Sequence, residues 1–235
     1  MEVEELLPIM FRVSIGLTIL TASALLAATK DDVGKRLQES ATVLSEVMSV
    51  PEKSIPQDLL EKANCVVIVP GMKKGAFIVG GKYGKGFMSC RKRGQAGWSA
   101  PGAVRIEGGS FGFQIGGSET DVILLVMNES GARRLLQSKF TLGAEGEIAG
   151  GPVGRDASAQ TDAKMTAEIL SYSRSRGLFA GVSLQGATLR EDMDDNKAMY
   201  GEYMKSADIM TRWPAPTADA EPLLKLLKQY SPKGL

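Results

Sequence analysis

The chain has 235 residues, with 28 Lys and Arg against 27 Asp and Glu and a formal net charge of +1, which is long enough for one domain with a real hydrophobic core. Its 43% apolar and 23% charged residues are ordinary globular values and exclude disorder or a coiled coil as a description of the whole. The absence of histidine and the presence of two cysteines exclude a Ser-His-Asp triad, Cys-His catalysis, histidine metal sites, a four-cysteine zinc site and a disulfide-scaffold miniprotein.

Residues 13–28, VSIGLTILTASALLAA, carry no charge and follow Arg12. The run reads as a secretory signal with small residues at Ala22-Ser23-Ala24 or at Ala28, its basic start supplied by Arg12 if translation begins at Met10 rather than Met1. The alternative is an uncleaved anchor helix, since the run is slightly shorter than a membrane span. The expected organisation is therefore 1–28 as signal or anchor, 29–212 as the domain, and 213–235 as a Pro-containing linker with a short helix. The expected location is exported, periplasmic or secreted. Loss of residues 1–28 removes three Glu and one Arg and raises the net charge from +1 to +3. An exported chain can keep a Cys65–Cys90 disulfide; two buried thiols are the equal alternative.

Val33, Leu37, Ala41, Leu44, Val47 and Met48 recur at helical spacing and predict a helix over 31–50, stopped by Pro51. A short helix follows Pro56. Cys65 to Val69 reads as a buried strand ended by Pro70-Gly71, with further strands at 76–79, 82–93, 103–115 and 121–127, separated or bent by Gly pairs at 80–81, 108–109 and 116–117. Residues 128–138 predict a helix capped by Ser130. A Gly-rich strand region spans 142–153, and paired strands flank Arg176-Gly177 at 164–173 and 178–189. A helix over 191–199 is closed by Gly201, and Leu223, Leu224 and Leu227 mark a last amphipathic helix. Gly-x-Phe at 75–77, 109–111 and 177–179 is read as Gly ending a turn and Phe starting a strand. The order predicts an α+β fold: a largely antiparallel, Gly-rich β-sheet or partial barrel with flanking helices.

Three motifs fail on inspection. Gly108 to Gly112 matches G-x-S-x-G but lacks the histidine base and the following helix. No phosphate-binding glycine loop is present. Asp192 to Asn196 resembles the start of a calcium loop, yet Lys197 stands where glycine is needed and Tyr203 where a bidentate Glu is needed. It reads instead as the acidic first turn of a helix. No catalytic residue, metal or cofactor is expected.

Charge segregation is the strong signal. Between Glu61 and Glu107 lie 45 residues without Asp or Glu, and with nine basic residues. Alternation puts Tyr83, Lys85, Phe87, Arg91 and Arg93 on one strand face. Such a surface suits anionic lipid, each Lys or Arg contributing about 1 kcal/mol near an anionic bilayer. Single-stranded nucleic acid fits the same pattern, but export argues against it. The structural alternative is a solvated strand balanced by acidic residues elsewhere.

The ordered set Ala63 to Pro70, Lys73 to Gly81, Gly97 to Pro101, Gly112 to Gly117, Asp121 to Met127, Gly150 to Arg155, Tyr172 to Gly181, Asn196 and Tyr200-Gly201 resembles the SYLF domain family over about residues 35–201. The resemblance implies a non-enzymatic lipid-binding module; eukaryotic relatives bind phosphoinositides, yeast relatives bind actin, and exported bacterial relatives are called lipid-binding proteins. The signal-like start sets the expectation against actin as a partner. The residues expected to engage an anionic phospholipid headgroup, from this sequence alone, are Lys73, Lys74, Lys82, Lys85, Arg91, Lys92 and Arg93, with apolar contact from Tyr83 and Phe87. An envelope scaffold that binds protein partners is the rival reading.

Overall fold

The computed structural model describes residues 29–76, 79–91, 97–111, 116–154, 167–175, 178–179, 184–212 and 214–232. Helix α1 (Lys30–Ser49) opens it. Thr29 caps α1, its Oγ1 accepting from the Asp32 N–H at 3.2 Å, and Val33, Leu37, Ala41, Leu44 and Val47 are buried as their spacing predicts. Then come α2 (Gln57–Lys62) and four strands, β1 (Cys65–Ala76), β2 (Val79–Cys90), β3 (Gly102–Phe111) and β4 (Gly116–Val126). They are followed by α3 (Glu129–Leu135), β5 (Lys139–Thr141), β6 (Ile148–Gly150), β7 (Ile169–Ser175), β8 (Leu178–Phe179) and β9 (Thr188–Glu191). Helices α4 (Met193–Tyr200), α5 (Ser206–Arg212) and α6 (Glu221–Tyr230) close the fold.

One curled, half-barrel sheet runs β5-β9-β3-β2-β1-β4-β7-β6, with β8 on β7. Every pairing is antiparallel except β6 with β7. The α+β class is as expected. Cys65 to Val69 are each at most 1% exposed, because both sheet faces are covered. On one face Val66, Ile68, Phe87, Ile123 and Leu125 pack against Leu37 and Leu44 of α1 and Leu223 and Leu227 of α6. On the other, Val67, Val69, Met88, Leu124 and Val126 pack against Phe140, Leu142, Leu189 and Ile209. Cys65 and Cys90 stand opposite each other on β1 and β2 and form a disulfide with a Cα–Cα distance of 4.0 Å.

Several elements depart from expectation for local reasons. Strand β1 does not end at Pro70-Gly71. It passes through a bulge between Ile68 and Lys73, with Gly71 at φ +55° and its N–H donating to Asp121 Oδ1 at 3.0 Å. Asn128, not Ser130, caps α3, accepting from the Gly131 N–H at 2.7 Å. Of the strand expected over 178–189, Leu178 and Phe179 pair with β7, whereas Thr188 and Leu189 belong to β9, which pairs with β3 and β5; residues 180–183 lie outside the described residues. Strand β5 and helix α5 were not expected; β5 has three residues and α5 seven, too few for a period to register. Gly75 and Gly109 lie near strand ends rather than strand starts.

Candidate functional site

The four long strands overhang the helices at one end. Beyond the β1 bulge, register places Glu119, Lys73, Tyr83 and Glu107 in one row across β4-β1-β2-β3. The next row on that face is Gly117, Gly75, Gly81 and Gly109. All four glycines are exposed, and at Gly75 and Gly109 an added Cβ would meet nothing within 4 Å. The Gly pairs therefore lie within the strands rather than separating them. On the opposite face Lys74 and Lys82 stand directly opposite one another. Burial, followed by the Lys74 charge, pulls the Lys82 ammonium below the usual lysine range. Like charges opposite each other across a strand pair repel.

The predicted basic face divides. Tyr83, Lys85 and Phe87 do share one side, as alternation requires, but α1 and α4 cover its inner part. Phe87 is 1% exposed and belongs to the core, so it is not available for apolar contact with a lipid. Lys85 Nζ lies 2.9 Å from both Asp192 Oδ2 and Asp195 Oδ1, carboxylates that are 2% and 0% exposed. Burial lowers its pKa, but the hydrogen bonds to Asp192 and Asp195 outweigh burial and leave it above the ordinary lysine value. Arg36 of α1 also bonds to Asp195 Oδ2. The acidic run Asp192 to Asn196 thus holds the Lys85 ammonium between its carboxylates, and Asp192 caps α4 by accepting from the Asp195 N–H at 3.2 Å. Here the balancing acids do come from elsewhere in the fold.

Arg91 is committed differently. Its Nε donates to Ala63 O at 3.0 Å and its Nη2 to Ser231 O at 3.3 Å, and its guanidinium sits 4.3 Å from the Trp98 ring centroid. It ties the C-terminal ends of α2 and α6 to the sheet. Burial keeps its pKa below the ordinary arginine value. Lys92 and Arg93 lie outside the described residues. Lys73 and Tyr83 are exposed, Tyr83 at 48%, and Lys82 is 8% exposed. The structure thus keeps Lys73, Lys74, Lys82 and Tyr83 together at the sheet end, and separates Lys85, Phe87 and Arg91 from them.

A second feature went unread in the sequence. An open cleft of about 1020 Å³ lies between α1 and the overhang, lined by Lys35, Glu39, Glu46, Glu119, Asp121 and Arg174 among others. Arg174 Nη2 lies 2.6 Å from Glu46 Oε2 and 2.9 Å from Asp121 Oδ2. These residues are scattered over α1, β4 and β7, so no local motif announces them. Among the described residues no group of three or more His, Cys, Asp or Glu is placed to hold a metal ion, and no helix is long and apolar enough to cross a membrane.

The family model Ysc84, described as "Las17-binding protein actin regulator", matches residues 107–230. The rat "SH3 domain-containing YSC84-like protein 1" is 30% identical over 202 residues, 83% of this chain and 59% of that protein. Its human counterpart is 31% identical over 202 residues, 83% of this chain and 58% of that protein. "Protein YSC84" of Saccharomyces cerevisiae is 33% identical over 181 residues, 75% of this chain and 38% of the relative. The chain thus spans about three fifths of the mammalian relatives' length. The expectation against actin finds no support in these names. With its C-terminal half matched by that family model and the likeness to relatives extending over most of its length, the chain belongs to the Ysc84 family, to which its SYLF resemblance pointed.

Proposed function

We propose that this domain is a non-enzymatic adaptor that engages anionic phospholipid headgroups through the overhanging end of its sheet, in an exported setting at the cell envelope. The observation that carries the reading is the Lys74–Lys82 pair, two cations opposed on one face, with Lys73 and the exposed Tyr83 opposite each other on the other face. Clustered lysines draw the domain to a negative surface, and a tyrosine with an apolar body and a polar tip suits the headgroup level. The charge-free run at residues 13–28 and the Cys65–Cys90 bridge support export. A protein partner is the second reading, favoured by the family's description as Las17-binding.

Co-sedimentation with phosphatidylcholine vesicles, with and without phosphatidylserine, tests the lipid reading. Binding that requires phosphatidylserine, weakens with salt and drops in Lys73→Glu/Lys74→Glu is the expected result. Binding that ignores vesicle charge, or is unchanged in that variant, overturns it.

A further inference from the structure

We propose that the cleft between α1 and the overhanging sheet is a docking site for an extended, lysine- or arginine-bearing segment of a protein partner. The proposal concerns a surface other than the Lys74–Lys82 face and does not depend on lipid binding. Charge complementarity sets the partner's sign. The lining carries Glu39, Glu46, Glu119 and Asp121 against Lys35 and Arg174, and Arg174 is already shared between Glu46 and Asp121. Glu39 and Glu119 are exposed and face the cleft with Lys35, and Glu119 stands opposite Lys73 on β1, so among the described residues the four carboxylates outnumber the three cations Lys35, Lys73 and Arg174.

Sheet geometry sets the partner's shape. Pairing of β4 with β7 stops at Asp121↔Arg174, while pairing of β4 with β1 continues to Gly116. Among the described residues, Gly117 to Glu119 therefore have a strand neighbour on the β1 side alone. Ser175 Oγ donates to Glu119 O at 3.2 Å, and the rest of this edge borders the cleft. A strand edge beside a cleft accepts main-chain hydrogen bonds from an added extended segment, and alternate side chains reach the acidic lining. Gly117 contributes no side chain to the floor, so a backbone can approach closely there, while the Glu119 side chain lies over Gly71. The volume exceeds that of a single headgroup amine and fits several residues.

The test is fluorescence anisotropy of the full chain with a labelled peptide alternating lysine and threonine, beside one alternating glutamate and threonine, with unlabelled spermine as competitor. The lysine peptide binds, the glutamate peptide does not, and Glu39→Lys/Glu119→Lys weakens binding by about tenfold or more. Glu221→Lys on α6, equally exposed, leaves it unchanged. An unchanged Tm shows that the double variant is folded, and retained binding to phosphatidylserine vesicles separates this site from the lipid face. Absence of lysine-peptide binding, insensitivity to Glu39→Lys/Glu119→Lys, displacement by spermine as effective per charge as by the peptide, or loss of vesicle binding in the double variant would each overturn the proposal.

Discussion

Near Cys65, Cys90 and Val126, strands β1, β2 and β4 bury apolar side chains on both faces. Near Gly75, Gly81 and Gly117 the same strands carry glycine and charge, exposed on the face of Lys73, Tyr83 and Glu119 and with Lys82 buried on the other. A single hydrogen-bonded ladder thus joins a region whose residues are dictated by packing to one where packing dictates almost nothing. Strand glycines cost backbone entropy and give no contact in return. Their alignment at the overhang is not explained by internal packing, which directs attention there for function.

The contrast can be broken first at its packed end. Phe87→Ala empties a buried ring site and should cost about 4 kcal/mol, read as a lower urea midpoint at constant m; Tyr83→Ala, four residues away and exposed, should cost less than about 0.5 kcal/mol. Equal effects would erase the distinction. Reduction of Cys65–Cys90, separated by 25 residues, should cost about 3 kcal/mol through unfolded-chain entropy, checked by thermal unfolding with and without dithiothreitol.

Between the two regions sits Lys85, and Lys85→Ala should cost about 3 kcal/mol, because it removes one of the cations facing Asp192 and Asp195. Its folded-state pKa is raised, so the native state holds the proton more tightly than the unfolded chain. Its contribution is complete below the ordinary lysine value and is lost as pH rises through the folded value. Burial also raises the pKa of Tyr172 and Tyr200, and both add to the same alkaline loss. Lys85→Met should flatten, not abolish, the fall in stability above about pH 10. A steeper fall in that variant would contradict the assigned sign.

The packed region was legible in the sequence because burial leaves a pattern. Cys65 to Val69 announce a strand covered on both faces, and Val33, Leu37, Ala41 and Leu44 a helix with one buried side. The side of Tyr83, Lys85 and Phe87 was legible too, since alternation is local. Their exposure was not: it depends on α1 and α4, which approach from 36 and 192–195 in the chain and place Arg36, Asp192 and Asp195 over Lys85. The resemblance motif held Asn196 and Tyr200 without a reason for them. In the fold, Asn196 Oδ1 accepts from the Ala103 N–H at 2.7 Å and Tyr200 donates to Pro101 O at 2.6 Å, fastening α4 to the β3 end of the sheet.

The smallest stability effect belongs to the overhang. Lys74→Gln removes a like-charge neighbour from Lys82 and should change stability by less than about 0.5 kcal/mol, with the measurable loss falling on vesicle binding. The most direct measurement is co-sedimentation of the native chain and Lys74→Gln/Lys82→Gln with phosphatidylserine vesicles at low salt. A folded double variant that loses most of its binding, beside a Lys228→Gln control on α6 that retains it, is the predicted result. A double variant that binds phosphatidylserine as the native chain does would contradict the assignment of the overhanging sheet end as the lipid-engaging surface.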